Sequence, residues 1–490
     1  MARHLPTLGS GALWSVLDNL TQQVLSFAVF LVLARLVMPE DFGLMAISHL
    51  IVSLVRQTLL DAIVHPVARG PLPSDALYDS AFSACVLSSL LLCGLMLVAA
   101  PFIARFYSQP ELAAVVSWMS LVVLLTGASA VYEVRLIRAM EFRPLALRAM
   151  VSVTLGGGLG IVLALQGHGV WALLVQQLVT SATALLLLVV QSPWRPRWVW
   201  RGLAARVFSP DASRVGLTGL FSFLSNQGDT VIVSLLLGAH ATGLYSFAKR
   251  LTSTVYLVIG SSLLKLALPA FATAQHQATA LRLAYTRILG LTFLLMAPLY
   301  AGMSVLAEPM IAIFFGPAWA QAAPVIALLS VLHLLLAANQ INDYLLFAVG
   351  ERSAPLLRTT LQILFALLFA GLLAQGDLRW IAGGFVLASA LVWPWSQWRA
   401  LHHMQSGFSS LARTLKAPAL ATAAMGALLL GGVHLTAPSL ISLMGLVVSG
   451  ALVYGLVHTW VTHASPASHN AFKDLLQLGR IAPPTPGNPP

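Results

Sequence analysis

The chain has 490 residues, 58% of them hydrophobic and 9% charged, with a formal net charge of +11. A soluble domain carries about 25% charged residues, so the composition excludes a soluble enzyme or binding module and implies an all-α polytopic membrane protein. The basic balance is compatible with nucleic acid in principle, but its distribution along the chain excludes that partner.

Fourteen apolar segments reach the roughly 20 residues a helix needs to cross a bilayer. In chain order they lie at about 11–33, 42–64, 78–100, 112–133, 145–166, 169–190, 214–238, 243–267, 283–306, 323–349, 355–375, 378–400, 416–436 and 438–461. The N-terminal MARHLPTLGSGALW lacks an apolar run ending in a cleavage site, so the first helix is expected to remain. Cys85 and Cys93 share one apolar segment, where neither a disulfide framework nor a metal-ligand spacing arises. No metal or cofactor is expected, and the absence of a GxxxxGK[ST] motif argues against direct ATP use. The longest connection, 191–213, holds SPWRPRWVWRGLAAR and reads as an interfacial linker with aromatic anchors.

Twenty of the 27 Lys and Arg residues fall at one set of helix ends, and only Arg35, Arg105 and Arg379 at the other. The positive-inside rule then places both termini in the cytoplasm, and the basic excess becomes a topology signal. The remaining four cations, Arg56, Lys249, Arg250 and Lys265, lie within spans.

The chain also repeats itself. LARLVMPEDFGLMAIS (33–48) aligns with VSLLLGAHATGLYSFA (233–248), setting Gly43 opposite Gly243. ELAAVVSWMSLVVLLTGASAVYE (111–133) tracks QAAPVIALLSVLHLLLAANQIND (321–343), setting Glu133 opposite Asp343. Spans 1–6 and 7–12 therefore read as two six-helix lobes, 1–200 and 201–405, related by a pseudo-twofold along the membrane normal. Two further helices occupy 406–465, and 466–490 is a Pro-rich cytoplasmic tail expected to be largely disordered.

The stretch Leu217–Lys265 holds two spans joined only by Ala239–Thr242. Ser222, Asn226 and Asp229 share one helical face of the first, and Tyr245, Lys249, Thr252 and Tyr256 one face of the second, beside Arg250. A charge near a helix centre costs about 2.5–3.5 kcal/mol on insertion scales, so these stripes should face protein or water. Span 1 adds Trp14, Asp18, Gln22 and Ser26 on one stripe, and span 2 adds Arg56. Two ion pairs are expected at different depths, Asp18–Arg56 and Asp229 with Lys249 or Arg250. Asp61, Glu133 and Asp343 lie near cytoplasmic helix ends and are candidates for gate salt bridges or ion coupling. Ser, Thr, Asn and Gln taken singly are expected to bond neighbouring helices more often than to line a cavity.

Gly11, Trp14 and Gln22-Gln23, then LARLVMPEDFGLMAI, Arg138 with Phe142-Arg143, and GAHATGLYSFAKRL together resemble polysaccharide exporters of the MOP superfamily, in particular Wzx-type and colanic-acid-type lipopolysaccharide biosynthesis proteins. The resemblance implies a non-enzymatic flippase of a bacterial inner membrane. It would move undecaprenyl-diphosphate-linked oligosaccharide by alternating access, with proton or sodium coupling and glycan polymerase machinery as implied partners. A multidrug exporter of the same fold is the first alternative and a polytopic glycosyltransferase or polymerase the second. The short outer loops argue against the enzyme.

Overall fold

The computed structural model describes residues 8–69, 75–199, 210–373 and 377–464; the side chains of 8–21, 66, 68–69, 210–212, 261–263 and 464 lie outside that description. The tail 466–490 lies outside it as well. Among the described residues every regular element is a helix. Twelve segments are long and apolar enough to cross a membrane. One of them, Ser213–Gly260, contains two helices, and Leu8–Leu36 is a further 29-residue helix.

The chain resolves into two compact units, Met1–Phe247 and Ala248–Pro490. The first begins with α1 (Leu8–Leu36) and α2 (Pro39–Val55). Pro39 opens α2, where its missing N–H costs nothing, and Glu40 and Asp41 complement the positive end of the helix dipole. A π turn, Arg56–Leu60, joins α2 to α3 (Asp61–Arg69). Then follow α4 (Asp75–Phe106), α5 (Pro110–Arg138), α6 (Phe142–Leu165) and α7 (Val170–Gln191). Arg135 and Arg138 sit in the last turn of α5, where cations suit the dipole. Its main core gathers Leu44, Ile47, Val115, Met119 and Val123 from α2 and α5.

Of the linker after α7 the residues 192–199 are described and 200–209 lie outside the description; within the described part Trp194 is not the exposed anchor that the composition implies. Trp194 is buried, its ring packing against Tyr132 at 5.1 Å and its Nε1–H donating to Asp79 at 3.1 Å. A buried carboxylate supplies the partner that lets an indole leave water. Trp198 alone of the two is exposed.

Helix α8 (Pro210–Val255) breaks at Gly238, with φ 77° and ψ −167°. The joint is thus one residue, not the four expected at Ala239–Thr242, because a glycine tolerates this left-handed backbone. The Thr242 hydroxyl donates to the Gly238 carbonyl, at 2.7 Å. The two arms fold back: Tyr245 Oη lies 2.9 Å from Asp229 Oδ2, whereas sixteen residues of straight helix would separate them by about 24 Å.

The second unit continues from the end of α8 through a π turn, Tyr256–Gly260, to α9 (Ser261–Ala274), α10 (Ala278–Val305) and the short α11 (Ala307–Phe314). Next come α12 (Ala323–Ala348), α13 (Ser353–Leu373), α14 (Leu378–His403), α15 (Phe408–Leu435) and α16 (Leu440–Ala464). Its core gathers Phe271, Leu281, Leu289, Ile341, Leu345 and Leu401. The two π turns begin 200 positions apart, so the repeat extends to a local irregularity of the kind that marks functional helices. Leu91, Phe102, Ile441 and Trp460 are all strongly exposed, as lipid-facing residues must be.

Candidate functional site

In the first unit the hairpin within α8 builds a polar centre around Asp229. Its carboxylate accepts from the Tyr245 hydroxyl at 2.9 Å, from the Thr230 amide at 2.7 Å and from the Thr230 hydroxyl at 3.2 Å. Tyr245 is fully buried. Asn226, one turn earlier, is exposed and donates to the Ser222 carbonyl at 2.8 Å. Gln22 is exposed on α1, and the Asp18 side chain lies outside the described residues. Arg56 is exposed at the first position of its π turn, and Asp61 is half-buried at the start of α3.

The hairpin meets α2 without side chains in between. A Cβ on Gly43 would lie 1.8 Å from the Ala239 carbonyl oxygen, and one on Gly243 would lie 1.7 Å from that of Pro39. The repeat-related glycines therefore face each other reciprocally, which only glycine permits.

In the second unit, Lys249 and Arg250 are half-buried on the continuing arm of α8. Thr252 and Tyr256 do not simply line that face. Thr252 is fully buried and donates to the Ala248 carbonyl, while its own carbonyl accepts from the Tyr300 hydroxyl at 3.1 Å. The Tyr256 hydroxyl donates to Gln340 Oε1. His333 bonds the Leu329 carbonyl through Nδ1 at 2.8 Å and stacks on Tyr300, so it is a packed core residue.

The carboxylates at the helix ends find arginines. Arg148 donates to Glu133 in the first unit. In the second, Arg358 grips Asp343 with Nε at 2.9 Å and Nη2 at 2.8 Å, and donates to Gln362 at 2.6 Å. Both pairs span fifteen residues, and they are 210 positions apart. Glu133 and Asp343 thus each form a salt bridge; the fork on Asp343 is the bidentate arrangement that favours arginine over lysine.

Sequence reasoning missed a buried network beside the second pair. The Tyr285 hydroxyl contacts Asn342 Oδ1 at 2.7 Å and Gln397 Oε1 at 3.0 Å, and Asn342 Nδ2 donates to Ser396 at 2.8 Å. Asn339 and Asn342 at i, i+3 on α12 are the one signal that pointed there. Outside the spans, Glu351 accepts from Arg399 at 2.8 Å and pairs with His403 at 2.7 Å. Burial works against its charge, but the bonds from His403 and Arg399 outweigh it and hold the carboxyl below its usual range.

Among the described residues the chain is all-helical and multi-pass, with paired charges at its helix ends. Its structure resembles the lipid II flippase MurJ in an inward closed conformation, with a TM-score of 0.73 at 12% identity over 92% of this chain and 99% of MurJ. An inward-facing multidrug-resistance transporter of the MATE family, in the MOP superfamily, gives a TM-score of 0.51 at 19% identity over 81% and 96% of the two chains. The chain belongs to the polysaccharide biosynthesis protein family, whose pattern it matches over residues 32–324. The succinoglycan biosynthesis transport protein ExoT of Rhizobium meliloti (strain 1021) is 30% identical over 324 residues, which span 65% of this chain and 64% of ExoT. The teichuronic acid biosynthesis protein TuaB of Bacillus subtilis (strain 168) is 23% identical over 81% of this chain and 82% of its own. The lipopolysaccharide biosynthesis protein WzxC of Escherichia coli (strain K12) is 22% identical, over 66% and 67%.

Proposed function

We propose that this protein is a flippase for undecaprenyl-diphosphate-linked oligosaccharide in the bacterial inner membrane, with both termini in the cytoplasm. The observation that carries the reading is the adjacent pair Lys249–Arg250, half-buried within a spanning helix of a polysaccharide-biosynthesis protein. A diphosphate needs such cations to enter hydrocarbon, because an unpaired charge there is prohibitive. Arg250 offers a planar fork to the phosphates, and Lys249 a point charge. Arg56 serves the same end from span 2, and Gln22 and Asn226 bond the sugar hydroxyls. Asp229, held by Tyr245, and Tyr256 add polar groups to the path.

Transport proceeds by alternating access between lobes 1–200 and 201–405, with helices 406–465 outside the repeat. The pairs Glu133–Arg148 and Asp343–Arg358 act as cytoplasmic gates, and Asp61 is the candidate carboxylate for proton or sodium coupling. The names of ExoT, TuaB and WzxC support a glycan precursor over a drug. An organic cation would also be repelled by adjacent Lys249 and Arg250.

The test is deletion of the gene with complementation. Lipid-linked repeat units should accumulate on the cytoplasmic leaflet and disappear when wild type is restored. Arg250→Ala at normal protein level should cut transport by roughly ten-fold or more, the scale of losing a bond to a charged group. Full transport by Arg250→Ala and Lys249→Ala would end the proposal for the cations. Drug sensitivity with intact surface glycan would end it for the cargo.

A further inference from the structure

Beyond that cargo, we infer that the second unit carries a separate binding site for the headgroup of an anionic phospholipid, between the first turns of α10 and α15. A cavity of about 560 Å³ opens there, lined by Arg282 and Thr286 of α10 and by Ser409, Ser410, Arg413 and Thr414 of α15. No carboxylate lines it. The Arg282 side chain has no hydrogen-bond or ion-pair partner among the described residues, and the guanidinium of Arg413 reaches only the Ser409 carbonyl, at 3.3 Å. Surface arginines normally find acids or point into water, so two of them left open in one concave, hydroxyl-lined recess define a place for phosphate oxygens.

What the phosphate is attached to follows from the neighbouring groove. Arg413 also lines a second cavity of about 390 Å³, along α15, with Lys416, Ala419 and Leu420. Lys416 has no ion-pair or hydrogen-bond partner among the described residues. Leu420 lies seven residues further along the helix than Arg413, about 10 Å, the depth at which a headgroup gives way to acyl chain. Leu420 is 47% exposed and Leu283, beside Arg282, is 43% exposed. The surface therefore runs from cations and hydroxyls to bare aliphatic in the order of a lipid's phosphate, glycerol and chain. It lies at helix ends belonging to the arginine-rich set, where anionic lipids concentrate in a cytoplasmic leaflet. A bound lipid would bridge α10 to α15 and fasten the last two helices to the unit.

The site is tested on the full-length protein purified in maltoside detergent, by native mass spectrometry during titration with phosphatidylglycerol. Phosphatidylcholine of the same chains and inorganic phosphate form the two other arms. Phosphatidylglycerol should be retained over phosphatidylcholine, and excess inorganic phosphate should not displace it. The double variant Arg282→Gln/Arg413→Gln should weaken its association on the order of 25-fold, about five-fold for each cation removed. Arg282→Lys/Arg413→Lys should retain most of it, and all forms should share one unfolding temperature in phosphatidylcholine, since both residues are exposed. Unchanged phosphatidylglycerol affinity in the Gln variant would overturn the site. Displacement by inorganic phosphate at equal concentration would make it an anion site without a lipid, and equally overturn the proposal.

Discussion

The two compact units place the same ion pair in different surroundings. In the first, Glu133 and Arg148 keep 31% and 15% of their side chains exposed; in the second, Asp343 and Arg358 keep 14% and 11%. The residue preceding the carboxylate diverges with them. Tyr132 joins a ring cluster with Phe82 and Trp194, and Arg135 lies 5.3 Å over Tyr78 and Trp194. Its counterpart Asn342 instead joins the hydrogen-bond network of Tyr285, Ser396 and Gln397. Rings tolerate change because dispersion is not directional, whereas a buried polar network fails if one partner is lost. The charge pair recurs in both units, and its setting decides how much each depends on it.

That contrast is broken or sharpened most directly at the carboxylates. Asp343→Ala leaves a buried guanidinium without its counter-charge, which costs about 3–5 kcal/mol. Glu133→Ala, in a wetter place, should cost about 1 kcal/mol. Thermal unfolding of both variants in detergent would measure the difference, and equal losses would show that burial does not separate the units. Next in size are Gly43→Ala and Gly243→Ala, both in the first unit. Each drives a Cβ into a carbonyl oxygen on the opposite segment, so the segments must part, at roughly 1–3 kcal/mol or more. Because the contact is reciprocal, the two losses should match; a tolerated Gly243→Ala beside a damaging Gly43→Ala would mean that the approach is not symmetric.

A smaller effect separates two tyrosines eleven residues apart. Tyr245 donates to a carboxylate and Tyr256 to a neutral amide. Replacing each by Phe should cost about 1.5–3 and 0.5–1.5 kcal/mol respectively, since bonds to charged groups are the stronger. Unfolding temperatures in the reverse order would show that Asp229 draws its stability from elsewhere.

These contacts mark how far the chain could be read without coordinates. Spans, their number and the repeat were legible because hydropathy and a 200–210 residue offset are properties of sequence alone. The equivalence of Gly43 and Gly243 was legible too, but not that they touch, since a repeat fixes correspondence and leaves distance open. Glu133 and Asp343 stood out as charges at helix ends. Their partners fifteen residues on depend on how the following turn returns the chain, which no helical period encodes. Trp194 misled because a Trp- and Pro-rich linker looks interfacial until Asp79, 115 positions earlier, is seen accepting its N–H. Asn342 and Gln397 are single amides on separate helices, and only packing brings them together.

The smallest expected effect lies outside the membrane, at Glu351, for which the first unit shows no counterpart among its described ion pairs. Its carboxyl is held below the ordinary 4.5 by His403 and Arg399 despite partial burial. A carboxyl with a depressed folded pKa adds stability that is complete above its unfolded value and disappears as pH falls through the folded one. Wild type should therefore exceed Glu351→Gln by about 1 kcal/mol or less between pH 6 and 7, since the group is part-exposed. The gap should close as the pH drops below about 4.5. Unfolding temperatures of the two proteins, measured in one detergent across that range, would follow it. A gap that stayed open or widened on acidification would show that Glu351 stabilises the protein other than as an ionised carboxylate.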